Sequence, residues 1–234
     1  MSDSDFDIEG LARYLHITPQ QVERLASRGQ VPGRRVASKW RFSQAEIHHW
    51  MEERMGLLED LELAHVEDAL ARADNLPEQQ ETLASMLQMP SISCQLKGRT
   101  KNSIINEMSE LAASSGMLWD AGKMADAVRA RETLQSTAMD SGVALLHPRR
   151  PLQQILGDAV LAVGIAGQGI PFGGSPRLTD VFFLICSVDD RSHLRTLARL
   201  SRLLCDENFL PQVRAVGSEQ ELYDLIVEAE DKLT

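Results

Sequence analysis

A chain of 234 residues, 43% hydrophobic and with a formal charge of −10, is long enough for one substantial core or two smaller ones, since domains typically run to about 100–150 residues. No apolar stretch reaches the roughly 18 uncharged residues that span a bilayer, and the opening MSDSDFD is acidic rather than leader-like, so a soluble, cytoplasmic protein is expected. Cys94, Cys186 and Cys205 lie far apart, with no CxxC spacing and no neighbouring histidine pair; reduced, packed thiols are expected, and neither a metal nor a cofactor is.

The charge is segregated along the chain. Residues 57–90 hold eight acidic groups against one basic, Arg72, whereas residues 24–45 hold six basic groups and no acidic one, and the first 56 residues balance to zero. Opposite blocks of this kind predict a modular protein with one face meant for a polyanion.

Residues 1–56 read as a first module. Asp7, Thr18 and Ser43 are candidate helix N-caps, and Gln21 and Glu46 stand three residues beyond Thr18 and Ser43, the spacing of a capping box. Pro19 fits the first helical position. The pattern predicts a helix near 8–15 burying Leu11, Ala12 and Leu15, and a second over 19–28 burying Val22, Leu25 and Ala26. Gly29 can take the left-handed conformation that ends a helix. The alternation of Val36, Trp40 and Phe42 around Ala37-Ser38-Lys39 predicts a hairpin wing, and a third helix from Ser43 to about Met55 buries Ile47 and Trp50. With its Lys39-Trp40-Arg41-Phe42 wing, this segment resembles the excisionase-like or MerR-like winged helix-turn-helix family. Gln20, Gln21, Arg24 and Arg28 on the second helix, with Arg34, Arg35, Lys39 and Arg41 on the wing, are the candidate DNA contacts. A solvated basic face, or a helix-turn-helix kept for protein contact, is the plainer alternative. One such unit makes a small interface, so useful specificity implies a homodimer.

Within residues 57–79, Leu58, Leu61, Val66, Leu70 and Ala73 recur at roughly helical intervals in a stretch that ends before Pro77. An acidic linker helix is expected there, since two heptads are too few to specify a coiled coil.

From residue 80 to 234 apolar runs at 92–96, 160–165 and 181–186 alternate with amphipathic segments at 102–114, 121–131, 192–204 and 219–230. Val181-Phe182-Phe183-Leu184-Ile185-Cys186 is short and continuously apolar, as a strand covered on both faces requires. The interleaving predicts an α/β domain with helices flanking a central sheet. Gly167-Gln168-Gly169 is expected to form a hairpin turn; neither GxGxxG nor GxxxxGK[ST] is present, and ATP binding is not expected.

The chemistry concentrates in an ordered set: Arg131-Glu132, Ser136-Thr137, Gly142-Val143-Ala144-Leu145-Leu146-His147 and His193-Leu194. The set resembles the fructose, mannitol and nitrogen-regulatory class of enzyme IIA domains of the bacterial sugar phosphotransferase system. Leu203-Leu204, Asp206-Glu207 and Glu221-Leu222-Tyr223 extend the likeness over residues 80–234. The resemblance implies an enzyme IIA-like α/β fold and a phosphoryl group carried on His147, received from the phosphocarrier protein HPr or a nitrogen-branch relative. It also implies that Arg131, Thr137 and His193 converge there as donors to the phosphoryl oxygens. A carrier histidine needs one free ring nitrogen while the other keeps its proton, and a guanidinium can offset the charge in transit. His193 at the start of a helix lies near partial positive charge, which favours a neutral ring.

Leu146 stands where the family usually has proline, and its presence is expected to loosen the approach to His147 without removing the nucleophile. That departure favours an alternative, a DNA-binding regulator whose IIA-like domain has lost transfer and binds partners instead. His16, His48, His49 and His65 have no candidate partners and read as surface residues.

Overall fold

The computed structural model describes residues 5–15, 17–44, 46, 47, 50, 51, 82–173 and 177–233, and the chain divides into two units, Met1–Gln80 and Glu81–Thr234. The acidic segment 57–79 and His16, His48, His49 and His65 lie outside the described residues.

The amino-terminal unit runs β1 (Asp5–Phe6), α1 (Ile8–Leu15), α2 (Pro19–Ser27), β2 (Arg34–Val36) and β3 (Lys39–Ser43), followed by helical backbone at residues 44, 46, 47, 50 and 51. Asp7 caps α1 by accepting from the Gly10 N–H at 2.7 Å. At α2 the capping box is complete: Thr18 Oγ1 accepts from the Gln21 N–H at 3.3 Å, and Gln21 Oε1 accepts from the Thr18 N–H at 2.8 Å. The strands order β1-β3-β2, and Leu11, Val22, Phe42 and Ile47 form a core with no exposed surface. Leu15 and Leu25, expected inside, are half-buried; Tyr14 is buried in their stead, its ring 4.9 Å from Phe6. Val36, read as an inward wing residue, is 50% exposed because β2 is an edge strand with all three residues facing solvent.

The β2–β3 turn places Ala37 at φ 48° and Ser38 at φ 64°. A two-residue hairpin of this hand needs both residues left-handed, which suits Asn-Gly and costs other residues about 1 kcal/mol or more each. In a unit this small, that cost is a visible fraction of total stability. Ala37→Asn combined with Ser38→Gly is expected to raise the melting temperature of this unit by about 4–8 °C, for about 1 kcal/mol gained. Trp40 and Trp50 fluorescence in a Trp119→Phe background follows the transition; an unchanged or lower melting temperature refutes the strain.

The carboxy-terminal unit runs α3 (Leu83–Met86), β4 (Leu87–Leu96), α4 (Lys101–Ala113), α5 (Ala121–Glu132), β5 (Val143–Leu146), a 3-10 turn (Gln153–Ile155), β6 (Val160–Ile170), β7 (Thr179–Cys186), α6 (Asp190–Cys205), α7 (Phe209–Ala215) and α8 (Glu219–Asp231). Thr82, Thr100, Asp120, Asp189 and Ser218 each accept from a first-turn N–H, so five of its helices begin at a short oxygen-bearing side chain. At Ser218 a capping box is half made: Ser218 Oγ accepts from the Glu221 N–H at 3.3 Å, while the Glu221 carboxylate reaches past the cap to the Gly217 N–H at 2.7 Å.

The sheet orders β4-β6-β7-β5, with β4 parallel to β6, β6 antiparallel to β7, and β5 parallel to β7. Phe182, Leu184 and Cys186 share a core with Ile104 and Met108 of α4 and Met124 and Val128 of α5. Val181, Phe183 and Ile185 alternate to the other face, where α6 lies against β7, and are equally buried. Full burial stabilises each of these side chains by about 1.5–3 kcal/mol before entropy is charged, which explains the unbroken apolar run. Burial pushes the Cys186 thiol up to about 12, and Cys94 is raised by desolvation and then by the charges of Glu219 and Glu221.

Gly167-Gln168-Gly169 belongs to β6 and is not the turn; the chain reverses beyond Ile170. A Cβ at Gly169 would lie 2.6 Å from Leu178 Cβ, so the glycine permits close approach across the hairpin. Among the described residues no helix is long and apolar enough to cross a membrane.

Candidate active site

Strand β5 determines where the site lies. It is the edge strand of the sheet, and its four residues are buried because both sides are occupied. On one side Val143–Leu146 pair with Val181–Leu184; on the other, Met139 N–H reaches the Val143 carbonyl at 2.8 Å and Leu145 N–H the Thr137 carbonyl at 3.4 Å. Successive N–H groups alternate sides, so that of Leu146 faces β7, a donor that proline would lack. Leu146 is fully buried and pairs with Leu184, so the residue just before His147 is a regular rung of the sheet.

The start of β5 is braced as well. Gly142 sits at φ +86°, and Arg214 of α7 holds the Asp180 carboxylate through Nε and Nη2, each at 2.8 Å, while Nη2 also donates to the Ser141 carbonyl at 2.8 Å. His147 therefore leaves a strand fixed at both ends, at the carboxyl ends of the parallel pair β5–β7. In open α/β sheets that is where reactive groups gather.

His147 is 3% exposed. Its Nδ1 lies 2.8 Å from the Leu145 carbonyl oxygen, which can only accept, so the ring proton is assigned to Nδ1 and Nε2 presents its lone pair. Arg131 Nε donates to that lone pair at 3.2 Å, and Arg131 Nη1 donates to the Gln135 carbonyl at 2.9 Å. His193, in the first turn of α6, brings its ring to 4.9 Å from the His147 ring, tilted by 51°. Three expected site residues, Arg131, His147 and His193, thus meet from α5, β5 and α6, and each is at most 5% exposed.

The fourth, Thr137, is drawn elsewhere. Its hydroxyl makes a very short hydrogen bond to Glu132 Oε1, and its backbone N–H donates to the same oxygen at 2.9 Å. A carboxylate is the stronger acceptor, so the hydroxyl does not point to the ring pair. The other carboxylate oxygen pairs with Lys101 Nζ at 2.6 Å, and Lys101 also donates to the Phe172 carbonyl at 3.2 Å. Glu132 was visible in sequence only as half of an Arg-Glu pair, its partner Thr137 five residues on. Lys101, 31 residues upstream, gave no sequence signal, and neither did the Asp180–Arg214 brace. Among the described residues no group of three or more His, Cys, Asp or Glu could hold a metal ion.

On the amino-terminal unit Gln20, Gln21, Arg24, Arg28, Arg34, Arg35 and Lys39 are exposed and Arg41 is half-buried. Two already have internal roles: Gln21 in the α2 cap, and Arg34 in an ion pair with Asp5 at 2.8 Å. Arg35 lies over the Trp40 ring, 5.0 Å from its centroid.

Residues 85–229 match the family model of the phosphoenolpyruvate-dependent sugar phosphotransferase system, EIIA 2. The chain belongs to this family. Residues 6–55 match a helix-turn-helix domain model. The Klebsiella oxytoca nitrogen regulatory protein is 29% identical over 153 residues, covering 63% of this chain and 91% of that protein. The Bacillus subtilis fructose-specific EIIABC component is 26% identical over 149 residues, covering 62% of this chain and 23% of that longer protein. Among solved structures, the nitrogen regulatory protein IIA-Ntr of Neisseria meningitidis superposes with a TM-score of 0.54 at 19% identity, over 62% of this chain and 98% of that one. The Escherichia coli mannitol IIA, solved in complex with phosphorylated mannitol IIB, gives 0.54 at 17% identity, over 61% and 99%. The carboxy-terminal unit of this EIIA 2 chain is therefore a phosphotransferase component in kind, with the expected α/β fold, joined to a helix-turn-helix domain.

In this EIIA 2 unit Gly142→Ala tests the brace under β5. A Cβ there would lie 2.9 Å from Arg214 Nη2 and 3.2 Å from Asp180 Oδ1, on a backbone that L side chains avoid. Strain plus a disturbed charge-assisted bond is expected to destabilise by about 2–4 kcal/mol in urea unfolding. A change below about 0.5 kcal/mol refutes the brace.

Proposed function

We propose that this protein is a regulatory phosphocarrier that accepts a phosphoryl group on His147 Nε2 from the phosphohistidine of HPr or a nitrogen-branch relative, and that its phosphorylation state acts through a DNA-binding helix-turn-helix. The observation that carries this reading is the hydrogen bond from Nδ1 to the Leu145 carbonyl, which leaves Nε2 as the nucleophile facing Arg131.

The step balances without moving a proton. The Nε2 lone pair attacks phosphorus, the new N–P bond forms as the donor's N–P bond breaks, and the donor ring recovers its electron pair. His147 keeps its Nδ1 proton on the Leu145 carbonyl throughout. The Arg131 guanidinium, released from the lone pair as that pair bonds to phosphorus, is beside the incoming oxygens and offsets their charge. His193 is close enough to donate a further hydrogen bond to the phosphoryl group. Burial of His147 and Arg131 raises the value of each such contact, because little water competes. Docking of the carrier must open this ground, and the mannitol IIA–IIB complex is a precedent for docking on a related fold.

Incubation with phosphorylated HPr is expected to give an acid-labile, base-stable adduct in the wild type and none in His147→Ala, with Arg131→Lys about 10²-fold slower. Absence of an adduct in the wild type, with both HPr and its nitrogen-branch relative as donors, removes this reading.

The DNA part rests on the exposed Gln20, Arg24, Arg28, Arg35 and Lys39 of α2 and the wing, a homodimer supplying the two half-sites. For about four phosphate contacts, affinity for random duplex should fall roughly 10²-fold between 50 and 200 mM salt, and Lys39→Ala, which removes one contact from each protomer, should lower the log–log slope by about 2. Salt-independent binding, or none, counts against it. A chain that binds DNA and forms no adduct is the second reading, a regulator with a transfer-inactive IIA-like body, which the leucine at 146 favours.

A further inference from the structure

We propose that Glu132 is the positioning residue of the site: by holding the loop between α5 and β5, its carboxylate sets the carbonyl that aims Arg131 at His147 Nε2. The inference deepens the phosphohistidine reading above and rests on it for its kinetic consequence.

Arg131 and Glu132 are the last two residues of α5, and neighbours on a helix point about 100° apart. They consequently serve different partners. Arg131 crosses to His147, and its second anchor is the Gln135 carbonyl at 2.9 Å. That carbonyl belongs to residues 133–137, which must fold back under the guanidinium. Glu132 holds the far end of that fold, accepting both the N–H and the hydroxyl of Thr137 on Oε1. Its Oε2 is tied to Lys101 at the start of α4, and Ser136 Oγ and Lys101 Nζ both donate to the Phe172 carbonyl, at 3.4 and 3.2 Å. The Glu132 side chain is 1% exposed, so its bonds are little screened and the loop has few alternatives. Engaged in this way, the carboxylate is turned toward Lys101 and Thr137 while the guanidinium is turned toward His147 and Gln135. The dependence runs from Lys101 to Glu132, to Thr137 and Gln135, to Arg131, and so to His147.

A double-mutant cycle on the full chain separates positioning from general support. Glu132→Gln keeps the volume, removes the charge and turns an amide toward Lys101. Its maximal single-turnover rate from phosphorylated HPr is expected to fall 10–100-fold, with the half-saturating donor concentration within two-fold of wild type. In an Arg131→Lys background the same substitution is expected to cost less than three-fold, because the group it positions is already gone. Thr137→Val, which removes one loop contact and strands no charge, is expected to lose several-fold and guards against misfolding of the first variant. Independently of phosphoryl transfer, the Arg131 Nε–H signal in 1H–15N spectra should exchange slowly in wild type and rapidly in Glu132→Gln. Equal losses in the two backgrounds, or a protected Nε–H in Glu132→Gln, overturn the positioning role. A wild type that forms no adduct while Glu132→Gln still frees the Nε–H supports the role and sinks only the phosphocarrier reading.

Discussion

One hydrogen bond inside a single strand end sets the orientation on which the candidate site depends: His147 Nδ1 to the carbonyl of Leu145, two residues back, at 2.8 Å. Because a carbonyl oxygen cannot donate, the bond assigns the ring proton to Nδ1 and leaves Nε2 as the acceptor facing Arg131. It holds only while the backbone at Leu145 keeps its direction. The surroundings secure that direction: the β7 ladder on one side, residues 137–139 on the other, and the Asp180–Arg214 pair at the strand's origin. A rim residue on a loose loop would have sampled both tautomers; here the sheet selects one.

The site also keeps its charges apart. Arg131 donates to an imidazole nitrogen and to a carbonyl oxygen, while the neighbouring carboxylate is engaged by Lys101 and Thr137. An arginine already locked to a carboxylate would bind an incoming phosphoryl group only after breaking a strong, bidentate pair. The helical twist at 131–132 sends the two side chains to different partners. The structural ion pairs of the unit do the opposite task, as where Glu230 of α8 accepts from Arg199 at 3.0 Å and from the first N–H groups of α3 at 2.7 and 2.9 Å. There a buried carboxylate joins the two ends of the unit and has no ligand to meet.

The two units divide along chemistry as well as along the chain. The amino-terminal one has a small core built on Leu11, Val22, Phe42 and Ile47, so helix caps and turn strain weigh heavily in its stability, and its exposed surface gathers arginines. The carboxy-terminal one buries strands on both faces and can hold an imidazole pair, a guanidinium and a carboxylate out of water.

Much of this was legible in the residues. Thr18 with Gln21, the continuous run 181–186 and the helical spacing at 121–131 and 192–204 are local signals, read from propensity, capping and period within a dozen positions, and the elements formed there. His147, Arg131 and His193 were identifiable by order and residue type through family likeness, since a motif records which side chains a site needs. Where short-range signals misled, packing had decided. The glycines at 167–169 suggest a turn, yet they run on in β6 because Leu178 approaches from the facing strand; Val36 alternates like a buried residue, yet it lies on an edge. Sequence by itself determined most of the elements and named the candidate site residues, because those depend on neighbours in the chain and on residue type. Only the tertiary structure decided that Thr137 serves Glu132, that Lys101 reaches Glu132 across 31 positions, and which nitrogen of His147 faces the Leu145 carbonyl and which faces Arg131. Those outcomes turn on hydrogen-bond geometry between segments that no spacing along the chain encodes.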